Sequence, residues 1–289
     1  MLELKELELV LSKQLQQEVI IGNTATVSGG SINNAYRINT NIGSFFMKTN
    51  KAVAFPNLFE TEAKGLSLLA STHAIKIPKI IALGAISDTA FLMLEWIESR
   101  PPKNDFWTTF GTQLAHLHQN THAYFGLEEN NYIGSLKQSN QPHTSWADFL
   151  IEERWNVQVK KAVDSFKLNR GFIVQVEQLY KKLDTIFPKE PPALVHGDLW
   201  SGNFMVGNNG EPVLIDPAVY YGHREMDLAM TQLFGGFDRQ LYHSYHEQYP
   251  LAKGWEQRVD LCNLYPLLVH VNLFGGSYVQ QVKQIISYY

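Results

Sequence analysis

The sequence predicts an α+β fold of two lobes, with a small β-rich N-terminal lobe followed by a larger, mostly helical C-terminal lobe. Short β-favouring runs separated by Gly- and Asn-rich turns dominate the first part of the chain. Helical patterns dominate the remainder, and the polar, proline-containing segment 95–103 separates the two regions. We therefore predict a lobe at residues 1–94, a hinge at 95–103 and a second lobe at 104–289.

Local patterns define the elements of the N-terminal lobe. Acidic residues alternate with leucines near the start, which favours an amphipathic helix at about 4–18. A second helix is predicted at 57–70, where apolar residues recur at helical spacing. The remaining β-favouring runs predict strands at 24–27, 35–39, 44–48, 80–83 and 91–94.

The C-terminal lobe is predicted to contain helices joined by polar loops. Helical periodicity covers residues 107–119, 146–162, 171–187, 224–233, 240–248 and 255–274. A single clear β-hairpin interrupts this pattern at about 204–216. This hairpin and the loop before it hold the most informative residues of the chain.

Composition limits the functional classes. A formal charge of −4 without a long basic run argues against a nucleic-acid partner. The single cysteine, Cys262, excludes an intramolecular disulfide and suits a reducing compartment. No stretch has the roughly 18–20 apolar residues of a membrane span, and the N-terminus lacks the pattern of a signal peptide. We expect a soluble cytoplasmic protein with no membrane partner; its oligomeric state is left open, and a monomer would fit.

The hairpin brings two oxygen-bearing side chains together. Apolar runs at 204–206 and 213–215 are joined by the turn-forming residues 207–210. In an antiparallel hairpin, the residue before one strand lies beside the residue after its partner, and these residues are Asn203 and Asp216. Carboxylate and amide oxygens suit Mg²⁺, which prefers oxygen ligands.

Asp198 stands five residues before Asn203, on the loop that enters the hairpin. This spacing is typical of the catalytic Asp and the metal-binding Asn of kinases. The pattern predicts that Asp198 accepts the proton of a substrate hydroxyl while Asn203 and Asp216 hold Mg²⁺ against the phosphates of ATP. A hairpin with polar ends is the alternative, but it does not account for all three residues at this spacing.

A phosphate anchor is predicted in the N-terminal lobe. Lys48 ends a predicted strand, and Glu62 lies on the apolar stripe of the following helix, where an unpaired carboxylate is costly. Glu60 lies off this stripe and is expected to be solvated. We therefore pair Lys48 with Glu62, an arrangement that positions a lysine for the α- and β-phosphates of ATP.

Two weaker signals concern the rest of the nucleotide. The loop containing Gly29, Gly30 and Ser31 could let backbone N–H groups approach phosphates, although such a loop is more often an ordinary turn. Residues 95–97, which are Glu95, Trp96 and Ile97, could hydrogen-bond to adenine through their backbone. A plain interdomain linker is the alternative.

Together these residues resemble the protein-kinase-like fold and, within it, the fructosamine kinase (ketosamine 3-kinase) family. The resemblance covers nearly the whole chain and is strongest in VHGDLWSGN at 195–203, IDPAVYYGHREMDLAMTQLFGGF at 215–237 and VHVNLFGGSY at 269–278. It implies phosphorylation, with ATP and Mg²⁺, of the 3-hydroxyl of a fructosamine or ribulosamine carried by a small molecule or a protein. The phosphorylation would promote deglycation.

The resemblance also implies roles for further residues. Trp200 would stack on the sugar, with a structural loop aromatic as the alternative. His223, Arg224 and Glu225 would line the substrate side. Asp227 would steady the catalytic loop rather than contact substrate.

Three rival functions fit the sequence less well. An aminoglycoside or choline kinase should show clustered acids or an aromatic cage. No acidic cluster is seen, although the aromatics Tyr242, Tyr245, Tyr249 and Trp255 leave a cage conceivable. A metal hydrolase using His116, His118 and His122 is disfavoured because residues at i and i+2 of a helix do not face each other. A non-catalytic nucleotide-binding module should have lost Lys48, Asp198 or Asp216, and all three are present.

Overall fold

The computed structural model describes residues 4–28 and 32–289, and the chain divides into two compact units. The first takes Met1–Asn104 and Met205–Asp216, and the second takes Asp105–Phe204 and Pro217–Tyr289. The sequence-based division left residues 205–216 with the helical lobe. They group with the first unit because Leu214 N–H donates to the Lys76 carbonyl (3.0 Å) and Lys103 N–H to the Gly210 carbonyl (3.2 Å). The hinge function of 95–103 stays a prediction.

The first unit is built on a five-stranded antiparallel sheet in the order β1-β2-β3-β5-β4. Two helices accompany the sheet, and leucines of the first of them join its core. The predicted elements are all present, with strands two to three residues longer at several ends. Their bounds are α1 Leu4–Leu15, β1 Ile21–Thr26, β2 Asn34–Thr40, β3 Gly43–Lys51, α2 Leu58–Ser71, β4 Ile80–Ile86 and β5 Thr89–Glu95.

The second unit is mostly helical. The predicted helix at 146–162 is interrupted by a π-helical segment, Leu150–Trp155, and the predicted helix at 171–187 divides in two. Its helices are α3 Phe106–His118, α4 Trp146–Phe149, α5 Asn156–Asp164, α6 Arg170–Tyr180, α7 Leu183–Ile186, α8 Glu225–Leu233, α9 Arg239–Gln248, α10 Trp255–Leu273 and α11 Tyr278–Ser287. The sequence analysis missed α11. Helix α10 is buried on most of its circumference, as expected of a helix at the centre of a core.

Three two-stranded sheets complete the described chain. The predicted hairpin forms from β9 Phe204–Val206 and β10 Pro212–Leu214. The sequence analysis missed a hairpin of β6 Asn131–Ile133 with β7 Leu136–Gln138, and a pairing of β8 Ala193–Val195 with β11 Tyr220–Gly222. These strands of three residues are too short for periodicity to reveal. Among the described residues, no helix combines the length and the apolar character needed to cross a membrane.

Candidate active site

Lys48 joins two carboxylates within the first unit. Its Nζ lies 2.7 Å from Glu62 Oε1 and 2.5 Å from Asp216 Oδ1. The Lys48 and Glu62 side chains are only 6% and 11% exposed, whereas that of Asp216 is 40% exposed. The pairing of Lys48 with Glu62 was predicted from the stripe of α2. The contact with Asp216 was not, because 168 residues separate the two.

The electrostatics of this cluster keep Lys48 charged. Burial lowers the pKa of Lys48, but the carboxylates of Asp216 and Glu62 outweigh it, so that the pKa lies above its ordinary value. Burial and the charge of Asp216 raise the pKa of Glu62, the Lys48 ammonium lowers it, and the net pKa lies above its ordinary value. A buried lysine held by two acids is a fixed cation suited to an anionic ligand.

Asp216 adopts an unusual backbone conformation. Its φ is +55°, in the left-handed region, where Asp is one of the few tolerated side chains. A residue held in this region costs free energy and is often found at a ligand site. The left-handed turn ends the first unit directly before Pro217 and leaves the Asp216 carboxylate partly exposed.

The predicted adenine-binding segment follows β5. Glu95 N–H donates to the Lys79 carbonyl (2.8 Å), which fixes the start of the segment. The Arg37 guanidinium lies 4.4 Å from the centroid of the Trp96 ring, and Ile97 is buried. Adenine binding by this segment stays a prediction. Gly29, Gly30 and Ser31 lie outside the described residues.

The predicted catalytic loop lies in the second unit. Asn203 Nδ2 donates to both the carbonyl oxygen (2.8 Å) and the Oδ2 atom (3.0 Å) of Asp198. The predicted base is therefore oriented by the residue five positions further on. Since the Asn203 amide nitrogen faces Asp198, the atom of Asn203 that suits a cation is Oδ1.

Asp227 fixes the main chain of this loop. Its carboxylate accepts hydrogen bonds from the N–H groups of His196 (2.7 Å) and Gly197 (2.9 Å) and lies 3.2 Å from His118 Nε2. Burial raises the pKa of Asp227, but the hydrogen bond and charge of His118, the charge of His196 and the N–H group of Gly197 together lower it by more, so the net pKa is below its usual value. This is the steadying role expected of Asp227. His118 serves this carboxylate, and its Nδ1 lies 2.8 Å from Tyr245 Oη.

A buried polar network that sequence analysis missed holds the chain after Pro217. Gln138 Nε2 donates to the Ala218 carbonyl (3.0 Å), and Tyr265 Oη donates to Gln138 Oε1 (2.7 Å). A Cβ atom at Gly197 would lie 2.1 Å from that same Ala218 oxygen, so glycine is required there, at a φ of +82°. Gln138 ends the three-residue strand β7, which no pattern in the sequence marks.

The sequence profile of the family named Fructosamine kinase matches residues 4–289 of the chain. The chain belongs to the fructosamine kinase family. A probable ketoamine kinase of Synechocystis is 41% identical over 96% of this chain and 93% of its own length. The chloroplastic protein-ribulosamine 3-kinase of Arabidopsis thaliana is 36% identical over 93% of this chain and 83% of its own.

Solved structures agree with this assignment. A candidate fructosamine-3-kinase from Haemophilus somnus superposes with a TM-score of 0.88 at 30% identity, covering 98% of this chain and 96% of the other. The predicted α+β, two-lobed kinase-like fold is thus confirmed.

In this member of the fructosamine kinase family, the predicted sugar-stacking residue is accessible. Trp200 is 38% exposed and makes an edge contact with Phe234, with ring centroids 6.1 Å apart. Its indole lies across Gly202, where a Cβ atom would come within 2.3 Å of the ring. The stacking of Trp200 on a sugar stays a prediction.

The three residues predicted to line the substrate side lie in a buried ionic network instead of on an accessible surface. His223, Arg224 and Glu225 are at most 3% exposed. Arg224 Nε lies 2.7 Å from Glu190 Oε2, and Glu225 Oε1 lies 2.6 Å from Arg258 Nη2. Contact with substrate is untested, but this burial argues for a structural role.

Proposed function

We propose that this chain transfers the γ-phosphate of ATP to the 3-hydroxyl of a ketosamine. The observation that carries the proposal is the geometry of Asp198, which Asn203 orients at 3.0 Å on a loop anchored by Asp227. The whole described chain belongs to a kinase family, and its relatives are named as acting on ketoamines and ribulosamines. The proposal extends these substrates to this chain.

Asp198 acts as the general base in this proposal. A carboxylate oxygen of Asp198 accepts the proton of the 3-hydroxyl as the oxygen attacks the γ-phosphorus, and the bond from that phosphorus to the bridging oxygen of ADP breaks. The hydroxyl must lie within about 3 Å of the carboxylate and in line with the leaving ADP. The role of the Asp227 anchor is to keep this geometry from drifting.

In this proposal, ATP is bound by the charge of a lysine side chain and by hydrogen bonds to backbone groups. Lys48, kept in place by Glu62, contacts the α- and β-phosphates. Residues 95–97 hydrogen-bond to adenine, and the loop of Gly29, Gly30 and Ser31 covers the phosphates. These roles are supported by the fixed cation at Lys48 and by the order of the segments along the chain.

Asn203 and Asp216 fit Mg²⁺ by donor chemistry. Each can offer an oxygen, since the nitrogen of Asn203 is directed at Asp198 and the Asp216 carboxylate is 40% exposed. When bound, the ion neutralises charge on the phosphates of ATP. Asp216 Oδ1 already accepts from Lys48, so the same carboxylate would couple the cation and the lysine.

The chemistry of the proposed product, a ketosamine phosphorylated at C3, accounts for a role in deglycation. A ketosamine carries its ketone at C2 and its amine at C1, so a phosphate at C3 becomes a leaving group once C1 and C2 enolise. The phosphorylated product then sheds inorganic phosphate and releases its amine without further catalysis. We place this activity in the cytoplasm, which is consistent with a buried, unpaired Cys262.

An ATP-consumption screen tests the proposal. The purified protein is offered fructosamines, ribulosamines, an aminoglycoside and choline with ATP and Mg²⁺. We expect turnover with one or both ketosamine classes and only background with the others. Turnover confined to the aminoglycoside or choline would replace the proposed substrate class.

A further inference from the structure

Arg154 is a buried cation that has no carboxylate partner. It is 0% exposed, and among residues 4–28 and 32–289 no Asp or Glu side chain lies within ion-pair distance of it. Its guanidinium instead lies over the rings of Tyr220, Phe149 and Tyr265, at 4.1, 4.5 and 5.3 Å from their centroids. Because a buried charge without a counter-ion costs free energy, packing alone does not account for an arginine at this position.

The Arg154 guanidinium donates to a backbone carbonyl and to an amide side chain. One nitrogen donates to the Ser139 carbonyl, and Nη2 donates to Asn140 Oδ1 (2.8 Å). Since a guanidinium can only donate, the oxygen of the Asn140 amide must face it and the nitrogen must point away. Asn140 Nδ2 accordingly donates to Asn131 Oδ1 (3.0 Å). Arg154 thus sets the direction of a chain of hydrogen bonds.

This chain of hydrogen bonds ends on two consecutive backbone carbonyls. Asn131 Nδ2 donates to the Val219 carbonyl (2.8 Å). Gln138 Nε2 donates to Asn131 Oδ1 (2.8 Å) and to the Ala218 carbonyl (3.0 Å). We call Asn131, Gln138 and Asn140 the amide chain; all three are buried, at 6% exposure or less. A reversed amide at Asn131 or Gln138 would place an oxygen against a carbonyl oxygen, so the hold on both carbonyls depends on this direction.

Tyr265 fixes the orientation of the amide chain from its other end. Burial raises the pKa of Tyr265 to about 12, so its hydroxyl stays protonated at neutral pH. The hydroxyl donates to Gln138 Oε1 (2.7 Å), which leaves the Gln138 nitrogen facing Ala218. Two obligate donors, Arg154 and Tyr265, therefore enforce a single arrangement of the three amides.

The two carbonyls belong to the segment that supports the loop of the proposed base. Ala218 N–H donates to the His196 carbonyl (2.9 Å), and Tyr220 pairs with Val195 between β11 and β8. His196 stands two residues before Asp198, so a shift of Ala218 would move the main chain that carries the base. A displacement of about 1 Å can cost about 10²-fold in rate.

We propose that Arg154 is a positioning residue for phosphoryl transfer: it orients the amide chain, which holds the Ala218 and Val219 carbonyls and thereby the loop of Asp198. The inference rests on the proposed function and adds a residue to the same site. A cation at the end of a buried chain of hydrogen bonds also polarises each bond along it. A neutral side chain at position 154 would fill the space between the rings but would leave the amides free to reverse.

Arg154→Met tests the role of the charge and its donors. Methionine packs well on aromatic rings, and an apolar side chain often replaces a buried charge without loss of stability, so this variant should fold. We expect kcat with a fructosamine to fall by about 10²-fold, while the KM for ATP stays within about two-fold. Arg154→Lys keeps a positive charge and a donor, and its kcat should lie within about ten-fold of the wild-type value.

Gln138→Met removes the donor to Ala218, and Gln158→Met is its matched control. Gln158 is a buried amide of the same unit, 2% exposed, and it accepts from Asn272 instead of holding the segment after Pro217. Both variants should lower the free energy of unfolding in urea, but only Gln138→Met should lower kcat. Equal losses of kcat in the two variants would show a general packing effect and overturn the positioning role.

A double-mutant cycle decides whether Arg154 and Gln138 act through one chain of hydrogen bonds. If they do, Arg154→Met combined with Gln138→Met should lower kcat no further than the larger single effect. Effects that multiply, or a wild-type kcat in Arg154→Met, would overturn the proposal while leaving the kinase function intact. If Arg154→Met does not fold, an unchanged kcat in Gln138→Met would overturn it equally. Absence of wild-type turnover with every fructosamine and ribulosamine would reject the function and this role with it.

Discussion

Glu62 lies 2.7 Å from Lys48 and is one of two carboxylates that hold this buried lysine. The arrangement depends on α2, whose apolar face carries Glu62 inward against the sheet while Glu60 stays exposed. A buried lysine without a partner would be driven towards its neutral form. The pair therefore preserves a positive charge where the proposed nucleotide phosphates bind.

The first prediction concerns this pair. Glu62→Gln removes the negative charge but keeps the shape, so Lys48 should swing further towards Asp216 and leave its phosphate-binding position. We expect the KM for ATP to rise about ten-fold, with a smaller change in the KM for ketosamine. Glu60→Gln, on the exposed face of the same helix, is the control and should change neither value. Equal effects from both variants would show that Glu62 has no specific role.

The second prediction concerns the base. Asp198→Asn should lower kcat by about 10²–10⁴, the usual contribution of general base catalysis. ATP affinity should remain, because Lys48 and residues 95–97 supply its contacts in the proposal. Isothermal calorimetry with ATP and a steady-state assay with ketosamine measure the two effects. An Asn variant with near-normal turnover would remove Asp198 from the mechanism.

The third prediction concerns metal. Asp216→Ala should abolish the Mg²⁺-dependent part of ATP affinity, since it deletes one of the two proposed oxygen ligands. The variant should be less stable, because Ala is strained at the φ of +55° that Asp tolerates, but it should still fold, since the side chain that it loses is 40% exposed. Calorimetry of ATP binding with and without Mg²⁺, supported by circular dichroism, measures this. A folded variant with undiminished Mg²⁺ dependence would contradict the assignment.

The fourth prediction concerns pH and stability. The pKa of Asp227 is lowered in the folded state, so its charge contributes stability that is present above the unfolded value of 3.8 and lost as the pH falls through the folded value. Asp227→Asn should lower the free energy of unfolding by about 2–4 kcal/mol at pH 7. The difference in the free energy of unfolding between the wild type and Asp227→Asn should become smaller below about pH 4, because the wild-type carboxylate is then increasingly protonated.

Urea unfolding across this pH range is the measurement for Asp227. The control is Asp184→Asn, on the short helix α7, where the side chain is exposed. A deficit for Asp227→Asn that stays constant down to pH 3 would mean that its charge does not contribute to the acid dependence of stability.

Sequence and structure agree best where a pattern is long or chemically constrained. The stripe of α2 was sufficient to choose Glu62 over Glu60, because only one of them faces the core. The prediction of the hairpin was also correct, because its turn is encoded locally. Gly207 and Gly210 close the turn, and Gly210 has a φ of +73°. Local chemistry thus predicted the elements that carry the proposed site.

Contacts between distant parts of the chain could not be predicted. Gln138 binds the Ala218 carbonyl across 80 residues, and His118 reaches Asp227 across 109. No periodicity marks these residues, because each contributes through a single side chain whose partner is set by the fold. The family resemblance likewise implied that Arg224 lines the substrate side, whereas the structure buries it against Glu190.

Phosphorus NMR of a reaction with a synthetic fructosamine tests the central claim most directly. With ATP and Mg²⁺, the account predicts a sugar-phosphate signal that grows with ADP and then decays into inorganic phosphate after the enzyme is removed, with release of the free amine. Asp198→Asn serves as the blank for chemical background. A phosphorylated product that stays intact for days at neutral pH would show that a hydroxyl other than that at C3 is phosphorylated, and would contradict the deglycation role.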